Sequence, residues 1–87
     1  MSITTIVIYA TEWCGDCRRA RKFFDQNSIP YEWINIDRDK DAEKFVIQIN
    51  HGKRSVPTIV FLDGTILVEP SNQQLTQKLM PPDAGAV

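Results

Sequence analysis

The spacing of apolar side chains changes repeatedly along this chain, and each change marks a new element. Ile3 to Tyr9 (ITTIVIY) is rich in β-branched and aromatic residues, which predicts a buried strand. The period then lengthens. Cys17, Ala20 and Phe24 recur at three- and four-residue intervals with Phe23 beside them, while Arg18, Arg19, Arg21 and Lys22 fill the other face. That stripe predicts an amphipathic helix of about three turns, ending near Asn27-Ser28-Ile29-Pro30. Tyr31 to Asp37 alternates like a second strand. A second helix is predicted from about Asp39 to Asn50, with acidic residues crowding its start and Ala42, Phe45, Val46 and Ile49 along one face. Asn50-His51-Gly52 supplies a stop that tolerates the left-handed conformation.

Pro57 to Leu62 reads as a strand, Asp63-Gly64 as a hairpin signal, and Thr65 to Val68 as the antiparallel return. Pro70 breaks that strand. Ser71-Asn72-Gln73-Gln74 has the Ser-x-x-Gln pattern of a capping box, which opens a last short helix carrying Leu75 and Leu79. The predicted order is β-α-β-α-β-β-α. The first crossover is expected to be parallel and right-handed and the last two strands to form a hairpin. The expected fold class is α/β: a four-stranded mixed sheet with helices on both faces. Residues 1–80 form one expected domain. Residues 81–87 (PPDAGAV) carry no core-forming side chain and are expected to be a flexible C-terminal tail.

Composition narrows the class. With 87 residues, 43% apolar and 24% charged, the chain suits one small globular domain. A formal charge of −1, with acids and bases interspersed, argues against a nucleic-acid or acidic-membrane partner. The apolar start is too short to span a bilayer and lacks the pattern of a secretory signal. A cytoplasmic location follows as the expectation, in a compartment where thiols stay reduced.

The only two cysteines, Cys14 and Cys17, lie three positions apart where the first strand gives way to the first helix. A disulfide between them would close too small a loop to act as a staple. Zinc wants four ligands, and the only other good soft ligand is the distant His51, so a closed site would need a second chain. Two inert, buried thiols are the plain structural alternative. The position favours chemistry. Cys14 falls at or just before a helix N-terminus, where free N–H groups and the dipole favour a thiolate. Arg18, one turn on, adds to that effect, and the carboxylate of Asp16 opposes it. Cys17 falls on the apolar face, shielded and protonated. An exposed thiolate beside a buried thiol suits thiol–disulfide exchange: the first attacks a disulfide and the second displaces the reduced product. Gly15 leaves the backbone free to bend so that the sulfurs can meet. Trp13 suits either packing or a docking surface beside Cys14.

With Trp13-Cys14-Gly15-Asp16-Cys17 after one strand and Ser55-Val56-Pro57-Thr58 before another, the chain resembles the glutaredoxin family of the thioredoxin superfamily from about Ile3 to Leu79. The resemblance implies a thioredoxin-like fold and a cis Val56–Pro57 bond in a loop that faces the cysteines. It implies that Cys14 is the nucleophile and Cys17 the resolving cysteine, and that the backbone of Val56 pairs with an extended thiol substrate. Without it, Pro57 would be only a proline at a strand's first position. Glutathione-using members usually carry a lysine three residues before the first cysteine, where this chain has Thr11. They also carry a Gly-Gly step where an ungapped reading from Pro57 places Val68 and Glu69. The pattern is closer to the mycoredoxins and glutaredoxin-like small redoxins, which reduce mixed disulfides between protein cysteines and a small thiol or act as dithiol donors. On that resemblance Trp13, Arg54, Val56, Pro57 and Ser71 are candidate substrate-binding residues, with Lys53 and Asn72 as further candidates. The alternatives are a solvated basic loop for Lys53 and Arg54 and a plain helix cap for Ser71. No bound cofactor or metal is expected. Mycothiol, glutathione or a similar thiol, or a reductase, would supply electrons to a monomer acting on disulfide-containing proteins. The alternative is a dimer holding an iron–sulfur cluster or zinc through Cys14, and a third possibility is a non-catalytic adaptor that docks through Trp13 and the basic loop.

Overall fold

The computed structural model describes residues 5–80. Strand β1 spans Ile6–Ala10, helix α1 Gly15–Gln26, β2 Tyr31–Asn35, α2 Lys40–Ile49, β3 Thr58–Val60, β4 Ile66–Val68 and α3 Asn72–Leu79. The strands form one sheet in the order β2-β1-β3-β4. β1 runs parallel to β2, with Ile6 opposite Tyr31 and Ala10 opposite Asn35. It runs antiparallel to β3, and β3 and β4 form the hairpin, with Ile59 opposite Leu67. This is the mixed four-stranded sheet that the sequence pattern called for.

The pleat of β1 decides what each face of the sheet carries. Ile6, Ile8 and Ala10 point to one side, where they pack with Ala20, Phe23 and Phe24 of α1, Ile59 and Phe61, and Leu75 of α3. Tyr9 points to the other side, toward Ile36, Ala42 and Val46 under α2, and its ring lies 5.0 Å from that of Phe45. Alternation along a single central strand thus places α1 and α3 on one face and α2 on the other. The thioredoxin-like α/β fold follows from that division.

Element ends differ from the sequence reading in informative places. β1 reaches Ala10 because Ile36 N–H bonds its carbonyl, 3.0 Å away, and extends the pairing by one residue; Ile3 and Thr4 lie outside the described residues, as does the 81–87 tail. β2 stops at Asn35, whose side chain accepts from Asp37 N–H at 2.9 Å and turns the chain. β3 stops at Val60 rather than Leu62. Phe61 N–H closes the turn onto Thr65 O at 2.8 Å, with Gly64 at φ +85°, so Leu62 is left exposed. α2 ends as its sequence asked: His51 and Gly52 take positive φ and Gly52 N–H returns to Ile47 O at 2.8 Å.

Candidate active site

The strand-to-helix junction places the two sulfurs differently. Cys14 is the N-cap of α1, in extended conformation, and its Sγ accepts the N–H of Cys17 at 3.2 Å. An N-cap side chain normally satisfies one of the orphan donors of the first turn with an oxygen; here sulfur occupies that place. The Cys14 thiol is half-buried and lies 3.9 Å from the carbonyl of Val56, to which it donates. Cys17, three residues into the helix, is 0% exposed within the α1 face of the core. Burial, reinforced by its hydrogen bond with Cys14, pushes the Cys17 thiol up to about 12. The opposing carboxylate of Asp16 is occupied elsewhere: it lies 3.4 Å from the Arg19 guanidinium, one turn along the helix surface.

The facing loop comes from the far side of the sheet. The Val56–Pro57 bond is cis, and the Val56 carbonyl points at Cys14. Pro57 is fully buried. Its carbonyl accepts Glu69 N–H at 2.8 Å, which ties the loop to the end of β4. Glu69 takes φ +50°, a left-handed conformation that glycine adopts most easily. Glu69, which the ungapped reading sets on the second position of the Gly-Gly step, thus holds a backbone conformation that glycine would hold with less strain. Next in line, the Pro70 carbonyl faces the Arg19 guanidinium at 3.5 Å. Ser71 caps α3, its Oγ accepting Gln74 N–H at 3.1 Å while the Gln74 side chain accepts Ser71 N–H at 2.8 Å.

Trp13 stands 67% exposed beside Cys14, yet its ring is fixed, because Nε1 donates to Asp37 Oδ2 at 2.9 Å. Asp37 also pairs with Arg54, whose Nε donates to Glu43 at 2.6 Å. Hydrogen bonds from Arg54 and then Trp13 hold the Asp37 carboxyl below its ordinary range. The hydrogen bonds that Arg54 donates to Glu43 and Asp37 raise the guanidinium in turn. Arg54, a candidate for an anionic substrate group, therefore has two protein carboxylates as its partners. Asp37 and Glu43 did not emerge from the sequence, since nothing in local spacing links the β2–α2 turn to the loop before β3. Just before Trp13, Glu12 accepts from Trp33 Nε1 at 3.0 Å, so the two residues preceding Cys14 are tied to β2 and the turn after it. Cys14 and Val56 come together, with Pro57 joined to Val56 through the cis bond. Lys53 is exposed; its backbone N–H donates to Asn50 O at 3.2 Å, while its side chain makes no hydrogen bond or ion pair among the described residues. Among the described residues, no group of three or more His, Cys, Asp or Glu side chains is placed to hold a metal within one chain. No helix among them is long and apolar enough to cross a membrane.

The arrangement is that of a dithiol protein on a thioredoxin-like scaffold. The glutaredoxin family model matches residues 6–67. A Mycobacterium tuberculosis protein that carries the glutaredoxin name is 38% identical over 80 residues, covering 92% of this chain and 95% of the relative. Mycoredoxin 1 of Corynebacterium glutamicum is 35% identical over 77 residues, covering 88% and 95%. Among solved structures, the thioredoxin-like protein BC3987 superposes with a TM-score of 0.74 at 26% identity, covering 85% of this chain and 99% of that one. A buckwheat glutaredoxin–glutathione complex gives 0.64 at 27%, covering 85% and 66%. The chain belongs to the glutaredoxin family, and its general chemistry is thiol–disulfide oxidoreduction.

Proposed function

We propose that this glutaredoxin reduces mixed disulfides between protein cysteines and a small thiol, and protein disulfides, through Cys14 as nucleophile and Cys17 as resolving cysteine. One observation carries the reading: the Cys14 sulfur caps α1, 3.2 Å from the Cys17 N–H and 3.9 Å from the Val56 carbonyl, while Cys17 is sealed in the core. The Cys14 thiolate attacks the substrate disulfide. The leaving sulfur departs with the bonding pair, and a mixed disulfide remains on Cys14. The Cys17 sulfur then attacks the Cys14 sulfur, and the second substrate thiol leaves with the proton that Cys17 gives up. The substrate backbone is read as lying along Val56, with the buried Pro57 holding that loop in shape behind it and the Trp13 ring beside the reacting sulfurs. Ser71, already engaged as the cap of α3 and two residues beyond Glu69, is read as a contact at the edge of the substrate. Arg54 acts through Asp37 as a positioning residue for Trp13.

The donor thiol is read as mycothiol-like. The lysine and glycine signatures of a glutathione site are replaced by Thr11, Val68 and Glu69, and mycoredoxin 1 is a relative over nearly the whole chain. The test is turnover of a labelled protein mixed disulfide with mycothiol, glutathione or thioredoxin reductase supplied in turn. Cys14→Ser should remove all turnover, and Cys17→Ser should keep mixed-disulfide reduction while losing dithiol reduction. Full activity in Cys14→Ser would end the reading; turnover with glutathione alone would end the mycothiol part.

A further inference from the structure

We propose that Thr11 is a positioning residue for the second half of the exchange, its buried hydroxyl held in reserve for the Cys17 sulfur and donating to it as that sulfur takes up charge. The inference rests on the reading of Cys17 as the resolving cysteine and goes one step deeper into the same site.

Thr11 follows the last residue of β1 and leads into the cysteine loop. It is 0% exposed, and among the buried side-chain oxygens and nitrogens of the described residues its Oγ1 is the one without a hydrogen-bond partner. A buried hydroxyl left unpaired is destabilising, and a valine would fill the same space without that cost. A threonine kept here needs a use. Its neighbour supplies one. The Thr11 backbone and side chain both act on the Cys17 sulfur, and both favour its negative form, although the hydroxyl makes no hydrogen bond of ordinary geometry in the dithiol state.

The need for a donor arises in the resolving step. Cys17 sits with Ala10, Ala20, Phe24 and Ile59 in the apolar core, and the ionisable group that acts on it is Cys14. No cation is among the groups that favour its charge. When Cys14 is bound as Cys14–S–S–R, its own charge is gone and its repulsion with it. The Cys17 sulfur then gives up its proton, attacks the Cys14 sulfur and releases RSH as the Cys14–Cys17 disulfide forms. Negative charge accumulates on a sulfur that water does not reach, and a preplaced hydroxyl can meet it without reorganisation. Attack by Cys14 on the incoming disulfide does not need this hydroxyl, because Cys14 has the Cys17 N–H. The two half-reactions therefore depend on different donors.

Reaction with 5,5′-dithiobis(2-nitrobenzoate) separates them. Attack by Cys14 releases one thionitrobenzoate, and resolution by Cys17 releases a second in a slower phase. Thr11→Val should leave the first phase within about twofold and slow the second by about tenfold or more, the scale of one lost hydrogen bond to a charged group. It should also move the pH profile of the second phase upward, and Thr11→Ser should restore both rate and profile. Thr11→Ala serves as a second apolar variant if the valine protein does not hold its fold by circular dichroism. A second phase unchanged in rate and pH profile in the apolar variants, or both phases slowed equally, would overturn the assignment. The redox reading fails separately, if Cys14→Ser, with Cys17 as its one thiol, releases thionitrobenzoate as fast as the first phase of the unchanged protein.

Discussion

The three helices among the described residues start alike. At each, the N-cap side chain accepts the backbone N–H three residues on: Cys14 from Cys17 at 3.2 Å, Asp39 from Ala42 at 3.0 Å, and Ser71 from Gln74 at 3.1 Å. At α2 and α3 the acceptor is oxygen, the usual choice, and at α3 Gln74 completes the box. At α1 it is sulfur, a weaker acceptor. The same backbone device therefore does two jobs. Two helices use it to stay folded, while the third leaves the N–H facing the atom that, in the function proposed above, changes its bonding during turnover.

The largest effect should come from making α1 like the others. Cys14→Ser puts a good capping oxygen where sulfur stood. Turnover should fall to background while the reduced protein gains up to about 1 kcal/mol, the scale of a cap. Disulfide-reduction assays and thermal denaturation on one sample check both, and a loss of stability would break the comparison.

The buried partner gives the next effect. Cys17 is raised to about 12 in the folded protein, against about 8.5 for a free thiol. The native state thus holds this proton more tightly than the unfolded chain. That stabilisation is fully present below the unfolded value and is lost as pH rises from about 8.5 toward the folded value. Denaturant unfolding of the reduced protein should show a steeper loss of stability above pH 9 than Cys17→Ser; equal slopes would contradict the burial.

Removing an oxygen cap should affect stability alone. Asp39→Ala should cost about 1 kcal/mol, lowering the melting temperature by about 4–8 °C for a domain of this size, with turnover within about twofold. A large loss of activity would mean that α2 also serves the site. The smallest effect belongs to Asp16→Ala. Asp16 and Arg19 form an exposed pair at 3.4 Å, so stability should change by no more than about 0.5 kcal/mol, and the rate of Cys14 alkylation should rise only modestly.

Local patterns made most of this architecture legible. The α2 reading from Asp39 to Asn50 is the helix plus its two caps, because acids, apolar stripe and the Asn50-His51-Gly52 stop all agree. The α3 capping box formed as written. Cysteine placement was legible for the same reason: a strand–loop–helix junction fixes which residue caps and which faces the core. What the sequence did not reveal depends on approach through space. Asp37, Arg54 and Glu43 meet across loops that no periodicity connects. Phe61 and Leu62 look like strand residues by composition, but the turn hydrogen bond to Thr65 removes them from the ladder. Glu69 takes a glycine-like conformation because its N–H must reach Pro57 O.

Competitive alkylation tests the division of labour between the two sulfurs most directly. Reduced protein is treated with limiting iodoacetamide near neutral pH, and each cysteine's labelling rate is read by peptide mass spectrometry. Cys14 should be labelled at least about a hundredfold faster than Cys17, in keeping with a half-exposed capping sulfur beside a sealed one. Equal rates, or faster labelling at Cys17, would contradict the account.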